Sequence, residues 1–72
     1  MTLPPQKLGD QGQRYAVWTR GYPQDGDKAI QFSDSYDTAC SLADNWVRAP
    51  GCVKSWVIDR EDNYTEVWGA YP

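Results

Sequence analysis

From Asp34 to Arg48 the chain carries a single stretch of helical period. Tyr36, Ala39, Cys40, Ala43, Trp46 and Val47 recur at spacings of three and four, with Leu42 on their flank, while Asp37, Thr38, Ser41, Asp44, Asn45 and Arg48 fill the opposite side. This predicts one amphipathic helix. Asp34 with Asp37 three positions on suits its start, because a side-chain oxygen can accept from the first backbone N–H groups, which lack partners in the helix; Ser33 is the alternative cap. Two early carboxylates also favour the positive end of the helix dipole. Ala49-Pro50-Gly51 then ends the helix, since proline and glycine do not continue it.

The remaining periodic segments have β character. Arg14 to Arg20 (RYAVWTR) is aromatic and β-branched and stops at Gly21, which suits a first strand. Tyr22-Pro23-Gln24-Asp25-Gly26-Asp27 has turn chemistry, and Lys28 to Phe32 follows as a short second strand with Lys28, Ile30 and Phe32 on one face. Beyond the helix, Cys52 to Asp59 and Tyr64 to Tyr71 are two further strands joined by the polar loop Arg60-Glu61-Asp62-Asn63. Residues 1 to 13 hold two Pro, two Gly and three Gln without periodicity and read as a flexible arm. The expected organisation is that arm followed by a single domain, residues 14 to 72. Its fold class is α+β, with order β-β-α-β-β: a four-stranded antiparallel sheet with one amphipathic helix on one face.

With 72 residues, a chain buries only about 60% of its unfolded surface, so its core needs large side chains. Ten aromatics, four of them Trp, meet that need. Seven basic residues against ten acidic ones give a net charge of -3, which disfavours nucleic acid and acidic membrane surfaces as partners. The absence of histidine removes the usual general base and the commonest transition-metal ligand, so no cofactor or metal is expected and the chain reads as non-enzymatic. Cys40 and Cys52 are too widely spaced for a redox pair and too few for a zinc site. They read as two small buried hydrophobes or as one disulfide. With no membrane-length apolar run and no charged and apolar leader at Met1-Thr2-Leu3-Pro4-Pro5, the expected location is cytoplasmic.

Several local features together resemble a known class. Tyr15-Ala16-Val17, Phe32-Ser33-Asp34, Ala39 with Ala43, and Val53-x-x-Trp56-x-Ile58-Asp59 stand where small uncharacterised β-β-α-β-β domains of bacteria and their phages carry a Tyr-x-Val strand, a Phe with a cap, an Ala-rich helix and a hairpin with an aspartate at its turn. The resemblance spans residues 14 to 68, and Trp56 departs from it by replacing an aliphatic residue. Such domains have no assigned catalytic residues, so the resemblance implies none.

One helix covers one face of a four-stranded sheet, and the other face must be solvated or find a partner. Pairing Ile58 with Tyr64 puts Val53, Ser55, Val57, Thr65 and Val67 on one hairpin face and Lys54, Trp56, Ile58, Tyr64, Glu66 and Trp68 on the other. The small β-branched set suits the helix side, with Trp46 and Tyr36 supplying bulk and Trp46, Phe32, Val17 and Val47 in the core. A one-residue slip in register would exchange the two sets. Trp18, Trp56, Trp68 and Tyr64 are the expected apolar anchors of an interaction face, oriented by Lys54 and Glu66. The expected function is binding of a protein partner, or homodimerisation, through this face. The alternative cover is the chain's own arm, with Leu3, Pro4, Pro5 and Leu8 folded over it.

Three other readings come from the charged residues. Nucleic-acid binding would stack bases on Trp18 and Trp56 and track phosphates with Arg14, Arg20, Lys28 and Lys54, a weak groove against ten carboxylates. Asp34, Asp37 and Asp44 on the helix, with Asp59, Glu61 and Asp62 at the hairpin loop, are candidate acidic patches; they suit a phage or bacterial inhibitor that occupies a basic site on another protein, or simply a solubilising surface. The loop 59 to 63 lacks the glycine and glutamate of a calcium-binding hand and reads as a solvated turn.

Overall fold

In the computed structural model, which describes residues 10 to 23 and 25 to 72, the elements run in the expected order. They are β1 (Tyr15–Arg20), β2 (Asp27–Ser33), α1 (Tyr36–Val47), β3 (Lys54–Asp59) and β4 (Thr65–Ala70). All pairings are antiparallel, and the strand order is β2-β1-β3-β4. The two central strands are therefore the first of each hairpin, and α1 crosses over their shared side. Leu3, Pro4, Pro5 and Leu8 lie outside the described residues.

The helix cap is Ser35, one residue after Asp34 and two after Ser33. Ser35 has extended backbone dihedrals, and its hydroxyl accepts from the Thr38 N–H at 3.3 Å. Asp34 serves a different bond, accepting the Arg14 N–H at 3.0 Å and so tying the helix entry to β1. Ser33 instead accepts from the Ser35 N–H at 3.0 Å. Beyond Val47, the Ala49 N–H donates to the Trp46 carbonyl and Gly51 takes a φ of 89°, the left-handed conformation in which glycine carries no Cβ penalty.

Small side chains fill the centre of the core. Val17, Ala39, Ala43 and Val57 are fully buried, so the two alanines bring the helix backbone close to the central strands. Tyr15, Ile30, Cys40, Leu42, Trp46, Val67 and Trp68 pack around that centre, half-buried. Val17 and Val47 are buried as expected. Trp46 lies at the margin instead, donating its indole N–H to Gln31 at 2.6 Å and packing 5.8 Å from the Tyr22 ring. Tyr36 is 41% exposed, with its ring edge-on to Tyr15.

Two bulges decide which side chains share a face. Val17 pairs with Gln31 but Trp18 pairs with Ala29, so Ile30 is an extra residue in β2. Val57 pairs with Trp68 but Ile58 pairs with Glu66, so Val67 is the extra residue in β4. Ile30 and Val67 both pack against the core cluster, and each bulge resets the alternation beyond it. Two sequence expectations are corrected here. Phe32 no longer shares a face with Ile30 and lies on the side away from the helix, and Trp68 lies beside Val57 against the core. The expected Ile58 to Tyr64 pairing is replaced by Ile58 to Glu66, a shift of two positions that leaves Glu66 on the face foreseen for it. Val53 precedes β3 and is exposed.

Both cysteines are free thiols, Cys52 buried and Cys40 half-buried. Burial pushes the Cys40 thiol above its ordinary pKa.

Candidate interaction face

On the helix-free side the central strands contribute Ala16, Trp18 and Arg20 from β1, opposite Ile58, Trp56 and Lys54 from β3. Trp18 and Trp56 are direct cross-strand partners whose rings stack at 6.0 Å and 19°. The Lys54 ammonium sits 4.9 Å from the Trp56 ring centre and the Arg20 guanidinium 5.5 Å from it. With these neighbours Trp56 is only 7% exposed. It is a covered part of the face, whereas the sequence reading made it a protruding anchor; two cation stems and a second indole account for the difference.

Beside this stack lies a groove of about 430 Å³, lined by Asp10, Ala16, Trp18, Ala29, Phe32, Trp56, Ile58, Arg60 and Tyr64. Its shape follows from side-chain size. Ala16 on β1 and Ala29 on β2 leave a depression between the indoles on one side and Phe32 on the other. The Arg60 guanidinium lies over the Phe32 ring at 4.9 Å. Arg60 also donates to both oxygens of Asp10, at 2.5 and 2.7 Å, and to the Gln13 carbonyl at 2.9 and 2.6 Å. Residues 10 to 13, expected to be part of a flexible arm, are thus held at the groove edge.

Tyr64 stands at the rim, 70% exposed. Asn63 and Tyr64 both have φ of 57°, and the Thr65 N–H donates to the Asp62 carbonyl at 3.2 Å. Two consecutive positive φ values are the pattern of a type I′ turn, which favours Asn at the first central position and Gly at the second. Tyrosine in the glycine position holds a ring at the groove in a disfavoured backbone conformation.

Each described cation bordering the face has a carboxylate beside it. Arg20 forks onto Asp27 at 2.7 and 3.2 Å, Lys54 meets Glu66 at 3.1 Å, and Arg60 holds Asp10. Hydrogen bonds from Arg60 lower the Asp10 pKa to about 2, and those from Arg20 lower that of Asp27. At the sheet end nearest the helix start, Arg14 grips Asp59 through two bonds of 2.9 and 2.8 Å, lowering the Asp59 pKa and raising its own. Of the four cations considered for tracking phosphate, Arg14, Arg20 and Lys54 are ion-paired; Lys28 makes no ion pair among the described residues.

The expected site residues therefore separate. Trp18, Trp56, Lys54 and Glu66 come together on the open face with Tyr64 at its rim, while Trp68 is removed to the helix side. Of the acidic set, Asp59 is 4% exposed and bound by Arg14, which takes it out of any surface patch. Asp44 pairs with Arg48, and Asp34 accepts the Arg14 N–H; Asp37, Glu61 and Asp62 remain exposed. Phe32, Arg60, Ala16, Ala29 and Asp10 were not foreseen as site residues. Arg60 was legible, because the alternation Lys54, Trp56, Ile58 continues to it; Phe32 was not, because the bulge at Ile30 leaves no local signal.

None of the carboxylates with a displaced pKa is raised toward neutrality. Among the described residues there is no group of three or more metal-ligating side chains, and no helix is long and apolar enough to cross a membrane. A scan of family models, a search of curated proteins and a search of solved structures each returned no match.

Proposed function

We propose that this chain is a small non-catalytic interaction module that takes apolar side chains of another protein, or of a second copy of itself, into the groove on its helix-free face. The observation that carries this reading is the groove itself: an aromatic-walled depression of about 430 Å³ whose floor is built from two alanines. Its volume lies within the roughly 300–1,000 Å³ of ordinary ligand clefts. Trp18 and Tyr64 offer rigid contact area at its edges, the kind of surface from which binding hot spots are made. Glu61 and Asp62 stand in the same loop as Tyr64, so charge at that end favours a partner with basic residues beside its apolar anchor. That preference is what an inhibitor of a basic protein would need. The pairing of Arg14, Arg20 and Lys54 weighs against the nucleic-acid alternative, because a cation already neutralised by a carboxylate releases fewer counterions.

The test is an Ala29→Arg variant, which fills the groove from an edge strand. Proteins cross-linked from lysate through a photoreactive group at position 64 should be lost in this variant, while its melting temperature and circular dichroism stay close to the parent's. Unchanged capture by the filled groove would sink the reading. So would binding of single-stranded DNA at low salt that the same substitution abolishes.

A further inference from the structure

We infer that the occupant of the groove is a basic segment of another protein, whose arginine lies against the rings of Trp18 and Tyr64 with its guanidinium toward the carboxylates of the loop after β3. The inference rests on the reading of this face as a receptor for a protein segment, and it names the chemistry of that segment. Three observations carry it.

The first is a charge imbalance at one end of the groove. The pairings of Tyr15 with Ser33 and Asp59, and of Asp59 with Thr65, define the end of the sheet at which Phe32, Arg60 and Tyr64 stand. Five carboxylates gather there, Asp10, Asp34, Asp59, Glu61 and Asp62, against two guanidiniums, those of Arg14 and Arg60. Arg14 is taken up by Asp59 at 2.8 Å and Arg60 by Asp10. Glu61 reaches Arg14 only at 4.0 Å, and Asp62 has no cation beside it among the described residues. At the opposite end the charges match one for one, Arg20 with Asp27 and Lys54 with Glu66. Unmatched negative charge is therefore concentrated at the Tyr64 end, where it acts on a docked cation over about 8–10 Å at physiological salt.

The second is the use of the aromatic rings. Trp56 carries the Lys54 ammonium at 4.9 Å and the Arg20 guanidinium at 5.5 Å, Phe32 carries Arg60 at 4.9 Å, and Tyr71 carries Lys54 at 5.6 Å. No described cation lies over Trp18 or Tyr64, although both line the groove. Arg60 shows the pattern in full, with its guanidinium over a ring and forked onto a carboxylate. Trp18 and Tyr64, with Glu61 and Asp62 in the loop that carries Tyr64, repeat the rings and the carboxylates without the cation. An arginine suits them better than a lysine, because a planar guanidinium stacks on a ring and forks onto a carboxylate at once. Its alkyl stem can lie on the depression at Ala16 and Ala29.

The third observation sets a second copy aside. All four arginines of the chain are already in ion pairs, Arg14 with Asp59, Arg20 with Asp27, Arg48 with Asp44 and Arg60 with Asp10. A second copy would have to break one of these pairs to supply the guanidinium. A basic segment of another protein supplies it without that loss.

The experiment titrates the isotopically labelled full chain with a short synthetic peptide carrying two arginines around a leucine, followed by nuclear magnetic resonance, and repeats it with lysine or citrulline in the arginine positions. The arginine peptide should move the indole N–H of Trp18 and the resonances of Ala29 and Tyr64 while leaving the core residues Val17, Ala43 and Val57 in place. Citrulline, which keeps the shape and loses the charge, should weaken binding about tenfold, the loss of one charge-assisted pair. Glu61→Gln together with Asp62→Asn should weaken the arginine peptide several-fold and flatten its salt dependence, with a melting temperature close to the parent's. Groove resonances that ignore the arginine peptide would overturn the inference. Equal affinity for the arginine, lysine and citrulline peptides would overturn it too, as would binding that the double substitution leaves unchanged. Shifts of the same groove resonances on concentrating the chain without peptide would make a second copy the occupant and reject it as well. The receptor reading is judged separately by the Ala29→Arg capture. Capture that Ala29→Arg abolishes and the double substitution leaves intact rejects the arginine alone. Arginine-dependent shifts of Trp18, with capture untouched by Ala29→Arg, support the arginine site and reject the captured partner alone.

Discussion

Trp56 lies directly across from Trp18 on the neighbouring central strand, and the stacking of their rings at 6.0 Å leaves Trp56 almost wholly covered on the side of the sheet that has no helix. This small domain thus has a second apolar layer, thin and made from two indoles, two cation stems and Phe32. Trp56→Ala should cost about 3–5 kcal/mol of stability, the range for a buried aromatic. Trp18→Ala, at a half-buried position, should cost less and should weaken capture through the groove more. Urea melts of both variants check the ranking, and a Trp56→Ala chain as stable as the parent would refute it. The sequence alone suggested Trp56 as an apolar anchor of the interaction face.

Tyr64 occupies a position whose positive φ favours glycine. Tyr64→Gly should stabilise the fold by about 0.5–1 kcal/mol, because a left-handed conformation costs a non-glycine residue roughly 1–2 kcal/mol and glycine gives part of that back in unfolded-state entropy. The same change removes a ring from the groove rim and should weaken partner capture several-fold. A chain both less stable and equally competent would contradict the turn geometry and the role of the ring together.

Gly21 joins β1 to its connection at a φ of 95°, and a Cβ there would lie 2.5 Å from the Gly51 carbonyl oxygen. Backbone meets backbone at this point, so no side chain can swing aside. Gly21→Ala should lower stability by about 2 kcal/mol or more through strain and displacement of the loop after α1. Gly26→Ala, with open space around its Cβ but a positive φ of 82°, should cost less. Thermal melts of the pair separate the clash from the dihedral cost.

The Arg14 fork holds the Asp59 carboxyl below its ordinary pKa of 3.8, and the backbone N–H of Glu61 adds to the effect. A carboxylate depressed in the folded state stabilises the fold above its unfolded pKa, and that stability is lost as pH falls through the folded value. Asp27 and Asp10 act in the same direction. The melting temperature should therefore hold from neutral pH to about pH 4 and fall steeply below it. Asp59→Asn should melt lower at pH 7 and show a shallower acid limb. Parallel acid limbs for the two chains would remove Asp59 from this account.

The element order, the helix with its polar and apolar sides, the proline and glycine that end it, and the assignment of Trp56, Lys54 and Glu66 to one face of the sheet were all legible in the chain. Each rests on a period or a turn residue that acts within a few positions. The placement of Trp68, Ile30 and Phe32 was decided only by the tertiary structure. A bulge inserts one residue and reverses every side chain beyond it, and what favours it here is burial of Ile30 and Val67 against a core cluster that joins the helix to both central strands. The groove has the same origin: its lining comes from three strands, the loop after β3 and Asp10, and its depth comes from two alanines that nothing in local alternation marks as a floor.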